Sequence, residues 1–571
     1  MRNIFFIFIL FFQPLFQRGA GGKAFAQDYL GFANSAFAGV NGIDVNPANI
    51  VNNPRKWDVT IIGLNMGLAN NFIGINNAGR KYVISKSETA FNQDTYTTKS
   101  SSGKPISVFL GANITLPSFM FTRPSHKDAF AFSCKTRAYA NVDGLDPTIA
   151  DILINGKNDS SLFNQDILSA KISLQAMVWN EYGITYGKTI MQTSNERLNV
   201  AGRLKLLQGL YSMYLFIDNA DFKFYKQDSF VVTSALVHYG HSPNLEFNPS
   251  AVKFGFGGRP SLALDMGATY EFHPLTDVRS MTRSQSKTTP LQHEYKYKIG
   301  FSVQDLGWIK YLKPENARDF TAQLNGNLNF GSLQGSGTTP MANTDSELAK
   351  QFNIVADDSK YRMNLPTLMS VQGDYYAGKN VYVNSTFNYA FQFNKRESKI
   401  HEVTTFSITP RWDWKWIGAY FPFSYNKYSH VRAGFSLRLG PLIIGTADLL
   451  PLIAKKEIRG VDFHFMLKVP HIHFKNKNRI SRSKSKFDVN PEKINPPKRK
   501  KDKSHMPKKD VAPQEQKESK LEEKEKKEQS ATDANQEKKV RKHIFPQIHL
   551  FRKKSRHKAG GNEEKTLYFK M

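Results

Sequence analysis

Between residues 57 and 469, apolar and polar side chains alternate one for one in segment after segment, and this rhythm restricts the fold more than any other feature of the chain. Leu262, Leu264, Met266, Ala268, Tyr270 and Phe272 interleave with Ser261, Ala263, Asp265, Gly267, Thr269 and Glu271. Tyr295, Tyr297, Ile299, Phe301 and Val303 interleave with Lys296, Lys298, Gly300, Ser302 and Gln304, and Val431 to Leu439 with Arg432, Gly434, Ser436 and Arg438. The stretches 320–330 and 461–469 repeat the pattern. Successive side chains on a strand point to opposite faces, so each segment has an oily face and a wet one. A soluble sandwich alternates too, but its strands average about five or six residues. These segments run to about ten, as transmembrane barrel strands do. Their wet faces carry the Gly, Asn, Lys and Arg of a hydrated lumen. The expected fold is all-β, a closed antiparallel transmembrane barrel of about 14 strands, within a range of roughly 12 to 16.

Composition agrees. Aromatic residues make up 13% of the chain, with 43 Phe, 23 Tyr and 6 Trp, yet 22% of residues are charged. Beyond the N-terminus no run of about 18 apolar residues occurs, which excludes a helical membrane protein. Trp412, Trp414 and Trp416 share one face of a segment, followed by Tyr420, Phe421, Phe423, Tyr425 and Tyr428. Such rings concentrate at lipid headgroups, where an apolar body meets a polar tip. Cys134 is the single cysteine, so no internal disulfide forms.

The two ends of the chain differ from its middle. Arg2, the apolar run Ile4–Phe12 and the small residues Ala24 and Ala26 before Gln27 read as a secretory signal peptide over 1–26, cleaved after Ala26. Residues 27–56 are small and polar and end in Asn46-Pro47-Ala48-Asn49; they read as a plug in the barrel mouth or as a leader. Residues 471–571 hold 30 Lys and Arg against 14 Asp and Glu, with few large apolar residues, and the domain 470–571 is expected to be a disordered basic tail. The three longest polar connections, 86–104, 274–293 and 331–360, are assigned to the cell exterior, because barrels keep their short turns on the periplasmic side. Asn141-Val142-Asp143-Gly144 reads as a turn.

The order of several short motifs resembles an uncharacterised family of Bacteroidota outer-membrane barrels, itself related to fatty-acid-transporter-like barrels. They are Ala38–Gly42 with Asn46-Pro47-Ala48, Leu116–Phe119, Asn141–Gly144, Leu207–Leu210, Gly300–Gly307, Leu365-Pro366-Thr367 and Gly460–Phe463. The resemblance spans roughly residues 30 to 470 and implies an N-terminal hatch role for Asn46, Pro47 and Ala48. It supplies no ligand set.

Catalytic and metal sites are not expected. Gly255-Phe256-Gly257-Gly258 leads into a strand rather than a helix, so it lacks a phosphate cradle and reads as a hairpin. His464, His471 and His473, like His238 and His241, lack the further ligands of a closed zinc site. No enzyme and no cofactor is expected. The inward row, including Arg203, Lys205, Lys296, Lys298, Arg432 and Arg438, predicts a cationic lumen. Export removes a nucleic-acid reading of Pro496–Lys501. The expected partners are outer-membrane lipid, a small solute and an anionic periplasmic partner, peptidoglycan or protein, for the tail. A channel or transporter is the leading function; the alternative is a non-transporting anchor or assembly subunit that recruits through the tail.

Overall fold

A computed structural model of the chain describes most of residues 29–470. Residues 1–28, 471–571, the connections 77–95, 99–104, 151–165, 246–256, 275–294, 330–341, 392–399 and 450–456, and some shorter pieces lie outside the described residues. The segments read as a signal peptide and a tail fall there.

Fourteen strands in chain order make one antiparallel sheet that returns to its first strand. They are β1 (Trp57–Asn70), β2 (Ile106–Thr115 and Ser118–Thr122), β3 (Asp128–Leu145), β4 (Asp166–Gln192) and β5 (Glu196–Lys226). Then come β6 (Ser261–Phe272), β7 (Tyr297–Leu312), β8 (Leu368–Gly378), β9 (Val381–Ala390) and β10 (Thr405–Asp413). The last are β11 (Ile417–Tyr420 and Phe423–Asn426), β12 (His430–Ala433 and Phe435–Leu439), β13 (Leu442–Thr446) and β14 (Gly460–Lys468). Each pairs with its neighbours in sequence, and β14 closes on β1 with Thr60 opposite Lys468. Closure leaves no unpaired edge in the ring.

The alternation places oil outside and polarity inside. Forty large apolar side chains are exposed among the described residues. Through the strand registers they form continuous bands, such as Ile184–Leu204–Leu264–Leu306 and Val371–Phe387–Phe406–Tyr425–Val431. The buried set on the opposite face includes Asn65, Asn113, Glu181, Arg203, Asp265, Arg411 and Asp462. This distribution is the reverse of a soluble protein's. If lipid covers the outer bands, an arginine at Leu204, 55% exposed, costs about 2–4 kcal/mol of folding free energy in liposomes. Equilibrium unfolding of Leu204→Arg against wild type checks this.

One end of the ring holds the short turns 193–195, 379–380, 414–416 and 440–441, and both the entry at Trp57 and the exit at Val469. Exposed aromatics gather near it: Phe121, Phe130, Tyr186, Tyr297, Tyr375, Trp412, Trp414 and Trp416. Tyr420 and Tyr428 instead turn inward, because Asp413 and Asp143 accept their hydroxyls.

Three expectations are corrected. The 274–293 connection leaves from the turn end, because β6 runs antiparallel to β5 and ends with Phe272 opposite Glu196, beside the turn 193–195. It leaves from the end opposite to 86–104 and 331–360, so the three connections do not share one side; strand parity, not length, decides this. Residues 320–330 supply no wall strand: Asp319–Ala322 and Gly326–Asn329 pair with Ser229–His241, which extends β5 beyond the ring. Asn141–Gly144 is not a turn but the end of β3, with Asn141 facing inward and only Gly144 at positive φ, +68°.

Candidate functional site

Tyr29 and residues 31–51 are mostly buried and contact inward-facing groups of strands around the ring. Two short 3-10 helices, Gly39–Asp44 and Pro47–Ile50, fold the segment. Asn46 caps the second: its Oδ1 accepts the Ala48 N–H at 2.9 Å, with Pro47 in the first helical position, where a missing N–H costs nothing. Its Nδ2 donates to the carbonyls of Ala268 at 2.9 Å and Phe301 at 3.1 Å and to Gln372 Oε1 at 3.0 Å. The motif therefore rests against β6, β7 and β8. The wall makes room with glycine: a Cβ on Gly267 would overlap Asn46 Oδ1, and one on Gly300 would lie 3.0 Å from Asn46 Nδ2.

Around the remaining wall, Asn34 donates to Asn384 and Thr386, each at 3.1 Å, and Ser35 to Asp413 at 2.8 Å. Asn41 donates to Thr60 at 2.7 Å, and Lys298 to Asn49 at 2.7 Å. Lys468, the last residue of β14, donates to the carbonyls of Phe37 at 3.2 Å and Ala38 at 2.6 Å and pairs with Asp58 at 2.7 Å. Asn46→Ala removes both Nδ2 hydrogens, which three acceptors share, and the cap. At about 1 kcal/mol for each bond, residues 44–50 should open on the order of a hundredfold more often, measured by hydrogen exchange.

Above this segment the interior holds a layer of buried ion pairs. Asp44 pairs with Lys135 and lies 3.6 Å from Arg203. Arg203 also meets Glu181 at 3.0 Å and Asp265 at 3.3 Å; Lys205 meets Asp265 at 2.6 Å and Asp305. Arg137 binds Asp305 at 2.8 Å, Glu181 at 3.4 Å and Glu402 at 3.3 Å. Asp305 has φ +59° at a bulge where β7 slips against β6, which aims its carboxylate into this layer. The same residues line a cavity of about 40 Å³, room for on the order of three waters. Gln304 Nε2 lines it without a hydrogen-bond partner.

Higher still, the inner face becomes apolar. Phe109, Tyr139, Trp179, Tyr214, Ile309 and Tyr311 pack with Met363, Leu365, Ile400 and Val403. The last two belong to a strap, residues 400–404, from the connection between β9 and β10. It crosses to β3, seven strands away around the ring. There Asn141 Nδ2 donates to the His401 carbonyl at 3.0 Å, and the His401 N–H donates to Asn141 Oδ1 at 3.1 Å. His401 Nε2 lies 2.6 Å from Asp143, and Glu402 accepts from the Tyr139 hydroxyl at 2.9 Å.

The residues expected in the lumen divide. Arg203, Lys205, Arg432 and Arg438 are buried inside, and Lys298 reaches the N-terminal segment. Lys296 sits beyond the start of β7 with its ammonium 4.9 Å from the ring centre of exposed Tyr375. Among the described residues the interior is not cationic, because buried carboxylates face these cations. Arg432 Nε is 3.2 Å from Asp448, an ion-pair distance without hydrogen-bond alignment. Burial pushes the Asp448 carboxyl up to about 6 against the pull of Arg432. Arg438 stacks 3.8 Å over Phe37. The sequence reading missed Asp44, Lys135, Arg137, Glu181 and Glu402; Lys135 and Arg137, spaced two apart like Arg203 and Lys205, were the signal. Gly255 and Phe256 lie outside the described residues; Gly258 pairs with Tyr311, whose ring stands 3.0 Å from where a Cβ would be. His464 lies inside, 2.9 Å from Ser436; His471 and His473 lie outside the described residues.

The sequence matches no curated protein. Among solved structures it is similar to the CymD monoaromatic hydrocarbon channel, at 11% identity and TM-score 0.29, covering 80% of this chain and 97% of that one. It is similar to a mutant of the TodX monoaromatic hydrocarbon channel at 9% identity and TM-score 0.33, covering 75% and 92%. A Pseudomonas aeruginosa FadL homologue matches at 8% identity and TM-score 0.31, covering 74% and 90%. A family pattern matches residues 47–447, and the chain belongs to that family, DUF5723, a family of unknown function.

Proposed function

We propose that this chain is a non-catalytic outer-membrane β-barrel that passes a small solute, with hydrophobic solutes the leading class. The observation that carries the reading is the inverted side-chain distribution around a closed ring: exposed Ile, Leu, Phe and Trp outside, buried Asn, Arg and Asp within. A closed sheet satisfies every backbone group in lipid, which an open one cannot. The aromatics near the turn end have the placement of an interfacial girdle. In this reading residues 29–51 are the plug, the turn end faces the periplasm, and the exported chain has lost residues 1–26. The apolar inner layer around Trp179 and Tyr311 supports a hydrophobic solute. The 40 Å³ cavity fits a closed resting state.

Purified full-length protein in planar bilayers tests this. Rare conductance in the wild type and frequent, larger steps after deletion of residues 29–51 are expected. A sealed barrel in both would remove the transport reading. A second reading, a fixed anchor that recruits an anionic envelope partner, is favoured by the excess of 30 basic over 14 acidic residues in 471–571. Deleting 475–571 then abolishes function while conductance is unchanged.

A further inference from the structure

The plug and the strap close the interior from opposite ends, and each inserts one carboxylate into the same ion-pair layer. Asp44 comes from the N-terminal segment and Glu402 from the strap. Glu402 holds Arg137 at 3.3 Å, Arg137 holds Glu181 at 3.4 Å, Glu181 holds Arg203 at 3.0 Å, and Arg203 reaches Asp44 at 3.6 Å. A parallel route runs from Arg137 through Asp305, Lys205 and Asp265 to Arg203. Arg137, Arg203, Lys205, Glu181 and Asp265 are at least nine-tenths buried.

We infer that this layer couples the two closures antagonistically, so that seating either carboxylate loosens the other and the two ends open in alternation. The argument is electrostatic. Two like charges draw on one set of cations in a medium of low polarizability, where screening by water is weak. When Asp44 withdraws, Arg203 turns more of its charge to Glu181. Arg137 then shares less of its own with Glu181 and holds Glu402 more firmly. The reverse displacement acts on Asp44 in the same way. Coupling between two sites is reciprocal by thermodynamic necessity, so the effect in one direction equals the effect in the other. Contiguity alone does not establish coupling; the slowing at the far end, in both directions, does. The inference concerns communication between the two ends and holds whatever the cargo is.

The test uses Asp44→Asn and Glu402→Gln in the full chain in lipid nanodiscs, read by hydrogen exchange. Asp44→Asn should slow exchange of the Ile400 and His401 amides about fivefold, within the usual span of coupling factors. Glu402→Gln should likewise slow exchange at Val40 and Val45. Glu457→Gln, an exposed pair with Arg459, should do neither. Heat-modifiable gel mobility confirms assembly. Unchanged or faster exchange at the far end in either variant overturns the inference. If Asp44→Asn fails to assemble, Glu402→Gln alone decides by the sign of its effect on Val40 and Val45. Because exchange needs no solute, failure here is distinct from failure of the transport reading.

Discussion

Leucine at position 267 unseats the N-terminal segment while leaving the ring closed. Gly267 lies in β6 between β5 and β7, opposite Ala201 on one side and Ser302 on the other, so its backbone is held by both neighbours. A Cβ there would overlap Asn46 Oδ1 and stand 2.9 Å from Pro47 Cδ. The wall cannot retreat without breaking two ladders, so the segment must move. Displaced by the side chain, the seated segment loses its bonds from Asn46 Nδ2 to Ala268, Phe301 and Gln372. Overpacking costs roughly 1–3 kcal/mol and each hydrogen bond that the seated segment can no longer keep about 1 kcal/mol, and both weigh against the seated state. Chymotrypsin should then cut at Phe32 and Phe37, both buried in the wild type, and conductance should rise at least tenfold. Heat-modifiable mobility should persist. Protection equal to wild type would show that the glycine serves some other purpose.

Arg411→Ala has the largest expected effect on stability. The Arg411 guanidinium is fully buried, binds both oxygens of Asp374 at 2.6 Å, meets Asp413 at 3.0 Å and stacks 4.6 Å from the Tyr382 ring centre. Alanine leaves two carboxylates without their shared cation, and breaking such a pair costs about 3–5 kcal/mol. Asp374 would still accept from Tyr295, and Asp413 from Ser35 and Tyr420. These neutral donors compensate only in part. The denaturation midpoint of the heat-modifiable form should fall sharply, and Asp374→Asn in the same chain should recover part of the loss. No change in midpoint would mean that water reaches this layer freely.

Much of the wall was legible because a period of two is a local property. Leu262, Leu264 and Met266 face outward, and Asp265, Thr269 and Glu271 inward, as their parity requires. The inner contacts were not legible, since they depend on closure. Parity says that Arg203 points inward, but not that Asp44, Glu181 and Asp265 meet it there. The cationic lumen failed for this reason: it counted the cations of some strands without the carboxylates of others. Glu402 was hidden for a different reason. The strap belongs to a connection, and nothing in its own residues says that it crosses the ring to Asn141.

The central claim is that the two faces of each wall strand meet different media. Single cysteines along Ser261–Phe272, placed in a Cys134→Ser background and reconstituted in liposomes, test it most directly. Labels at 262, 264 and 266 should be quenched by lipid-borne quenchers and spared by water-soluble ones, and labels at 263, 265 and 269 should escape the lipid quencher. Equal access of a water-soluble quencher to both sets would contradict the account.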